Sequence, residues 1–197
     1  MGKFNIESLS IPDVKLIKHQ VIDDNRGTFS EIFNRDYLKN LGVDCCVFQE
    51  NFTVNHRGVV RGLHCQIEPY IQDKLVRCTK GRIFDVVVDV RTNSPWFGKW
   101  ISINLSEDDN SLLWVPGGFL HGFCSLVDNT VVEFKCTGQW NLAYERAVIW
   151  NDPWLNINWP LPHDEIVVSE RELTRNDFSA VKNWFFYEPG AELMMDK

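Results

Sequence analysis

The feature that most restricts the fold is a train of short β-branched and aromatic runs through the middle of the chain. CVFQENFTV, GVVRGLHCQ, KLVRCTKG, RIFDVVVDVR, KWISINLS, SLLWVPGG, TVVEFKCTG and RAVIWNDP follow one another with Gly, Asn, Asp or Pro between them. A spacing of about ten residues with turn chemistry at each break predicts an antiparallel all-β sandwich or barrel. Residues 82–90 carry the clearest alternation: Ile83, Asp85, Val87 and Asp89 fall on one face and Phe84, Val86, Val88 and Val90 on the other. One face of that strand therefore bears two carboxylates, and the other is wholly apolar.

Helical signal is confined to short peripheral pieces, at Arg35 to Leu41 and from Glu170 to about Asn183, where Ser169 and Glu172 have the spacing of a capping box. The acidic SEDDNS at 106–111 reads as a solvated hairpin loop. With 197 residues and 44% hydrophobic composition the chain suits one core, so residues 1–197 are expected to form one domain. A net charge of −7 without a Lys/Arg-rich run argues against nucleic acid as a partner. No run has the length of a signal peptide core or a membrane span, so a soluble, cytoplasmic protein without membrane contact is expected. Cys45, Cys46, Cys65, Cys78, Cys124 and Cys136 lie in apolar runs without a CxxC pair, which fits buried free thiols in a reducing compartment.

Two histidines sit in glycine-containing apolar stretches, VVRGLHCQ and PGGFLHGF. Gly58, His64, Cys65 and Gln66 follow the first cupin motif, G(x)5HxH, except that Gln66 stands where a second histidine belongs. Pro116, Gly118 and His121 fit the second, PxGxxH. These motifs imply a double-stranded β-helix, the cupin or jelly-roll barrel. The metal centre of many cupins is not expected, because two imidazoles and a loosely placed Glu68 are a poor ligand set. Arg61 and His64 are three residues apart, so strict alternation would put them on opposite faces; an in-strand glycine such as Gly62 often marks the bulge that would bring them together. With Lys74 they would then line one cavity, and cations pointing into a barrel call for an anionic ligand.

Over roughly residues 14–175 the chain resembles the dTDP-4-dehydrorhamnose 3,5-epimerase family. DDNRGTFSEIF at 23–33, FQENFTV at 48–54, GVVRGLHCQ at 58–66, QDKLVRCTKGRIFDVVVDVRTNSPWFGKW at 72–100, VPGGFLHGF at 115–123, IWNDP at 149–153 and INWP at 157–160 carry the resemblance, in order and at family spacing. It implies a cofactor-free isomerase, a homodimer whose N-terminal segment packs against its partner, and a nucleoside-diphosphate 4-keto sugar as substrate. The hydrogens at C3 and C5 of such a sugar are acidic because each is α to the ketone. His64 matches the family's base, and an imidazole titrates close to working pH. Lys74 and His121 match positions that face the C4 oxygen, where an enolate develops. Glu172 matches the acidic residue that orients the base, although aspartate is usual there, and Asp85 is a second candidate partner for His64 or Lys74. Arg26, Phe29, Glu31, Gln49, Asn51 and Arg61 match positions around diphosphate, sugar and base, as do Glu145 and Arg171. Trp140 falls where the family carries a tyrosine beside the nucleobase.

One departure bears on the chemistry. The tyrosine that protonates the face opposite the histidine falls on Phe134, which has no phenol. Three readings stay open: an epimerase in which water, Tyr144 or Tyr70 delivers the proton, with inversion restricted to one carbon; a nucleotide-sugar ketoisomerase; or a noncatalytic nucleotide-sugar-binding cupin. The RGxHAH pattern of sugar ketoisomerases is absent, since Gln66 follows Cys65. Phe134, Glu172 and Trp140 together suggest a specialised sugar, for which a GDP- or CDP-linked substrate fits as well as a dTDP-linked one.

Overall fold

The structure, a computed structural model, describes residues 3–189. In chain order its elements are β1 (Phe4–Ser8), β2 (Lys15–His19), β3 (Ile22–Asp24), β4 (Gly27–Phe29), α1 (Arg35–Asn40), β5 (Gln49–Asn55), β6 (Val60–Gln66), β7 (Lys74–Lys80), β8 (Arg82–Asp89), β9 (Arg91–Thr92), β10 (Trp100–Ser106), β11 (Ser111–Val115), β12 (Phe119–Ser125), β13 (Thr130–Cys136), β14 (Glu145–Ala147), α2 (Glu170–Leu173) and β15 (Phe185–Phe186). Two antiparallel sheets dominate, a six-stranded one in the order β1-β2-β11-β7-β13-β5 and a five-stranded one in the order β10-β8-β12-β6-β14. This is the all-β, cupin-like jelly roll expected, with only short helices at its edges. None of the described helices is long and apolar enough to cross a membrane.

Three apolar layers explain why so many strands are buried on both faces. Between the sheets lie Val76, Ile83, Val87, Leu113, Phe119, Phe123 and Val132. The outer face of the five-stranded sheet, carrying Val86, Val88 and Leu120, is covered by the C-terminal stretch through Trp150, Leu155, Trp159 and Phe178. The outer face of the six-stranded sheet packs Leu75, Leu112 and Trp114 against Phe4, Leu38 and Val43. The two carboxylates of β8 therefore face the sandwich interior, both fully buried. Asp89 is held there by Arg91 and Ser94, with Ser94 Oγ donating at 2.6 Å.

Several local expectations are corrected. The four N-terminal strands β1–β4 lie outside the predicted train, and RAVIWNDP contributes only Arg146 and Ala147 to a three-residue edge strand. SEDDNS is not a hairpin, because β10 and β11 belong to different sheets and the segment carries the chain between them. Cys46 is exposed, whereas the other five cysteines are buried; all six are free. Helix α1 forms where expected, with Tyr37 N donating to the N-cap Asn34 Oδ1 at 3.1 Å and Leu38 buried beneath. The second helix stops at Leu173, since the Asn176 backbone is committed to a bridge with Val148. Ser169 is its N-cap but makes no side-chain cap bond, and the Glu172 carboxylate is engaged by Arg175, so the expected capping box does not form.

Candidate active site

The site begins at a defect in β6. His64 pairs with His121 of β12, but Arg61 pairs with Phe123, so three steps along β6 match two along β12. Gly62 absorbs the extra residue at φ 114°. No other residue fits there: a Cβ on Gly62 would lie 2.6 Å from both Gly122 Cα and His121 O. The bulge resets the alternation, and Arg61 and His64 line the same cavity.

That cavity opens between the sheets and has two lobes that share His64, Lys74, Phe134 and Arg171. The larger, about 520 Å³, takes Arg61 and His121 from the five-stranded sheet, Thr53 from the six-stranded sheet, and Ser169 and Glu172 from the start of α2. The smaller, about 350 Å³, adds Gln49, Asn51, Gln66, Cys136, Trp140 and Glu145. The α2 segment reaches the mouth because residues 165–168 run beside β6. Val167 N donates to Gly58 O and Val60 N to Val167 O, each at 2.9 Å, and a Cβ on Gly58 would fall 2.1 Å from Glu165 O.

Lys74 is only 7% exposed, and among the described residues no carboxylate pairs with it. Its strand register sets it beside Cys136 and Val115. An unpaired ammonium on an otherwise buried wall is a strong demand for a negatively polarised ligand atom. Burial, then the charge of Lys74, pushes His64 down to about 4, so the imidazole is neutral at neutral pH and available as a base. Arg61 is steadied by its Nε donating to Asn55 Oδ1 at 2.8 Å, which leaves the rest of the guanidinium for the cavity.

Asp85 does not partner His64 or Lys74. It accepts from His121 Nε2 at 2.9 and 3.0 Å, since in register it lies two residues along from Val87, the partner of His121, and so on the same face. Burial raises the Asp85 carboxyl above its ordinary value, against the pull of His121. Nor is Glu172 bonded to His64. Its carboxylate is engaged by Arg175, which the sequence reading missed, at 3.3 Å. Arg175 Nη2 also donates to Glu145 Oε1 at 2.6 Å, and Arg171 binds the same oxygen. Trp140 Nε1 donates to Glu145 Oε2 at 3.0 Å. Burial alone would raise Glu145, but the Trp140 hydrogen bond and the cations around it hold it below the usual carboxylate range.

Gln49, Asn51 and Trp140 form one patch. Gln49 Nε2 donates to Asn51 Oδ1 at 2.8 Å, and Trp140 N donates to Gln49 Oε1 at 3.1 Å. Gln66, at the place of a second cupin histidine, accepts from Asn141 N at 2.9 Å and so anchors the loop beside Trp140. Among the described residues no group of three or more His, Cys, Asp or Glu could hold a metal ion. Arg26, Phe29 and Glu31 are not brought to the cavity. Arg26 folds back on Asp24 in the exposed β3–β4 hairpin, Phe29 is 68% exposed, and Glu31 pairs with Lys3. Tyr70 and Tyr144 pack against each other at a tilt of 42° with centroids 4.8 Å apart, outside the cavity lining, so neither stands in for the missing phenol.

Comparison with known proteins agrees with the fold and gives the family. A family profile described as dTDP-4-dehydrorhamnose 3,5-epimerase matches residues 8–180. A dTDP-4-dehydrorhamnose 3,5-epimerase of Sinorhizobium fredii is 46% identical over 161 residues, 81% of this chain and 83% of the relative. Among solved structures, the dTDP-6-deoxy-D-glucose-3,5-epimerase of Legionella pneumophila in complex with dTDP-4-keto-L-rhamnose superposes with a TM-score of 0.87 at 34% identity, covering 94% of this chain and 99% of that one. A 3'-monoepimerase of Streptomyces bikiniensis in complex with dTDP-quinovose gives 0.81 at 32% identity, covering 87% of each.

Proposed function

The chain belongs to the dTDP-4-dehydrorhamnose 3,5-epimerase family, and we propose that it epimerises a dTDP-linked 4-keto-6-deoxy sugar at one of the two carbons flanking the ketone. The observation that carries this reading is the pair His64 and Lys74, a neutral imidazole and an unpaired buried ammonium supplied by opposite sheets to one cavity. His64 takes the proton from the carbon α to the carbonyl. The electron pair moves into the C4 oxygen, where Lys74 stabilises the enolate, and a proton returns to the opposite face of the same carbon. His121, fixed by Asp85, borders the same oxygen site. Because Phe134 has no phenol and Tyr70 and Tyr144 lie elsewhere, water delivers that second proton, and only the more acidic or better placed carbon turns over.

Arg61 and Arg171 suit the diphosphate, and the exposed indole of Trp140 suits stacking on the nucleobase. Arg26, Phe29 and Glu31 fit this reading if the protein is a homodimer and the β3–β4 hairpin serves the cavity of a second copy. Exposed Phe52 and Val54 on the open edge strand β5 favour such pairing.

The test is solvent exchange. The protein is placed in D2O with dTDP- and GDP-linked 4-keto-6-deoxy sugars and followed by proton NMR. Loss of the C3 or the C5 signal from the dTDP sugar, abolished by His64→Asn, is expected, and it names the carbon. Preference for the GDP sugar would overturn the assigned base. Tight nucleotide binding without exchange would favour a noncatalytic binder, the rival that Phe134 supports.

A further inference from the structure

Glu145 and Glu172 are the two carboxylates that line this cavity with the base, and neither is hydrogen-bonded to it. Both are instead gathered on one guanidinium, that of Arg175: Nη2 to Glu145 Oε1 at 2.6 Å, Nη2 to Glu172 Oε1 at 3.3 Å, and Nε to Glu172 Oε2 at 3.3 Å. All three side chains are largely buried, at 16%, 7% and 11% exposure for Arg175, Glu145 and Glu172, so the network is not an exposed ion pair screened by solvent. Arg175 is itself held in place, because the next residue, Asn176, bridges to Val148 and accepts from Ile149 N at 2.8 Å. The longer side chain of Glu172, relative to an aspartate, is what lets a carboxylate on α2 reach this guanidinium.

We propose that Arg175 is a positioning residue for the base: by holding Glu172, and by sharing Glu145 with Arg171 and Trp140, it keeps both carboxylates off the His64 imidazole. This rests on the reading of His64 as the base. The charged and titratable groups around His64 are Lys74 on β7, His121 on β12 with Asp85 behind it on β8, Glu145 on β14, Arg171 and Glu172 on α2, Arg175, and Arg61 on its own strand. Lys74, His121 and Arg175 disfavour the imidazolium, and Glu145 favours it. Removing Arg175 takes away one positive charge, frees the Glu172 carboxylate, and leaves Glu145 on Arg171 and Trp140 with one donor fewer, so every change has the same sign. The imidazole becomes easier to protonate and is lost as a base at higher pH than before.

The experiment reads the ring directly, so it does not depend on turnover. The His64 imidazole is titrated by NMR in the full chain, its signal identified by comparison with His64→Asn. Its midpoint is expected to rise by about one pH unit or more in Arg175→Gln. Arg175→Lys, which keeps the charge and loses the fork, should give a smaller rise. Adding Glu172→Gln to Arg175→Gln should reverse part of the shift. A midpoint unchanged in both single variants, with the fold intact by circular dichroism, would overturn the proposal; if Arg175→Gln does not fold, Arg175→Lys decides it. Absence of solvent exchange in the wild-type protein would instead sink the epimerase reading and leave this titration standing.

Discussion

Lys74 is an ammonium that the fold buries without an anion among the described residues, and Phe134, whose strand β13 flanks β7, is a ring without the hydroxyl its place in the site would use. Each departs from what stability or catalysis alone would select, in opposite directions. A buried unpaired charge costs stability in the free protein, so Lys74→Met should raise the melting temperature. The same change removes the donor to the enolate, and the exchange rate should fall about 100–1,000-fold. Calorimetry and deuterium exchange on the same sample check both halves; a falling melting temperature would show that Lys74 has a structural anion after all. For Phe134 the argument runs the other way. The ring already borders the cavity, so Phe134→Tyr adds a hydroxyl into open space rather than into packing. Inversion at the second carbon is expected to appear or to quicken by about 10–100-fold, read from product stereochemistry by NMR. His64, Lys74 and Phe134 were legible from sequence because each sits in a motif. The partner of Asp85 was not, since alternation assigns a face and leaves the cross-strand neighbour open, and that of Glu172 was not, since Arg175 lies past the end of α2 in a stretch without periodicity.

At the scale of elements the decisive piece is the bulge in β6. Parity along the strand opposes Arg61 and His64, and Gly62 removes the opposition by taking φ 114° where its backbone meets Gly122. The glycine could be read as a bulge from sequence because it breaks an otherwise β-rich run. Gly62→Ala meets two penalties, a backbone conformation that L side chains resist by about 1–3 kcal/mol and a Cβ contact at 2.6 Å with backbone that cannot yield cheaply. The expected result is a clear drop in the urea midpoint together with loss of exchange, whereas an exposed glycine change such as Gly42→Ala, whose Cβ would meet only the flexible end of Lys15 at 3.0 Å, should leave exchange unaltered and cost stability mainly through its φ of 79°. The elements that sequence hid are those without periodicity. β3 and β4 are three residues each, and the stretch from Glu170 onward looks helical by composition until the Asn176 bridge ends it. Arg175 lies in that stretch, three residues from one partner and thirty from the other, a separation that no local pattern encodes.

For the whole molecule, the six-stranded sheet ends on β5, whose inner face feeds the cavity through Gln49, Asn51 and Thr53 and whose outer face exposes Phe52 and Val54. An open, apolar edge next to a functional wall is a poor end state for a free monomer. The β3–β4 hairpin poses the complementary problem, with Ile22 and Phe29 more than half exposed and Arg26 satisfied only by its own hairpin. Pairing two copies through these surfaces answers both at once, covering the edge and giving Arg26 and Phe29 something to bind. Light scattering should therefore find twice the chain mass. Phe52→Asp, a change on the outer face that leaves the inner wall of β5 intact, should yield monomers. If the hairpin of one copy serves the cavity of the other, those monomers should bind the nucleotide sugar at least about tenfold more weakly, the loss expected when about 1.4 kcal/mol of contact is removed. Proton abstraction by His64 should survive at saturating substrate, because every group of that step comes from the chain itself. A monomeric wild-type protein, or a monomeric variant that binds substrate as tightly as the parent, would mean that each cavity works alone and that Arg26, Phe29 and Glu31 have no part in it.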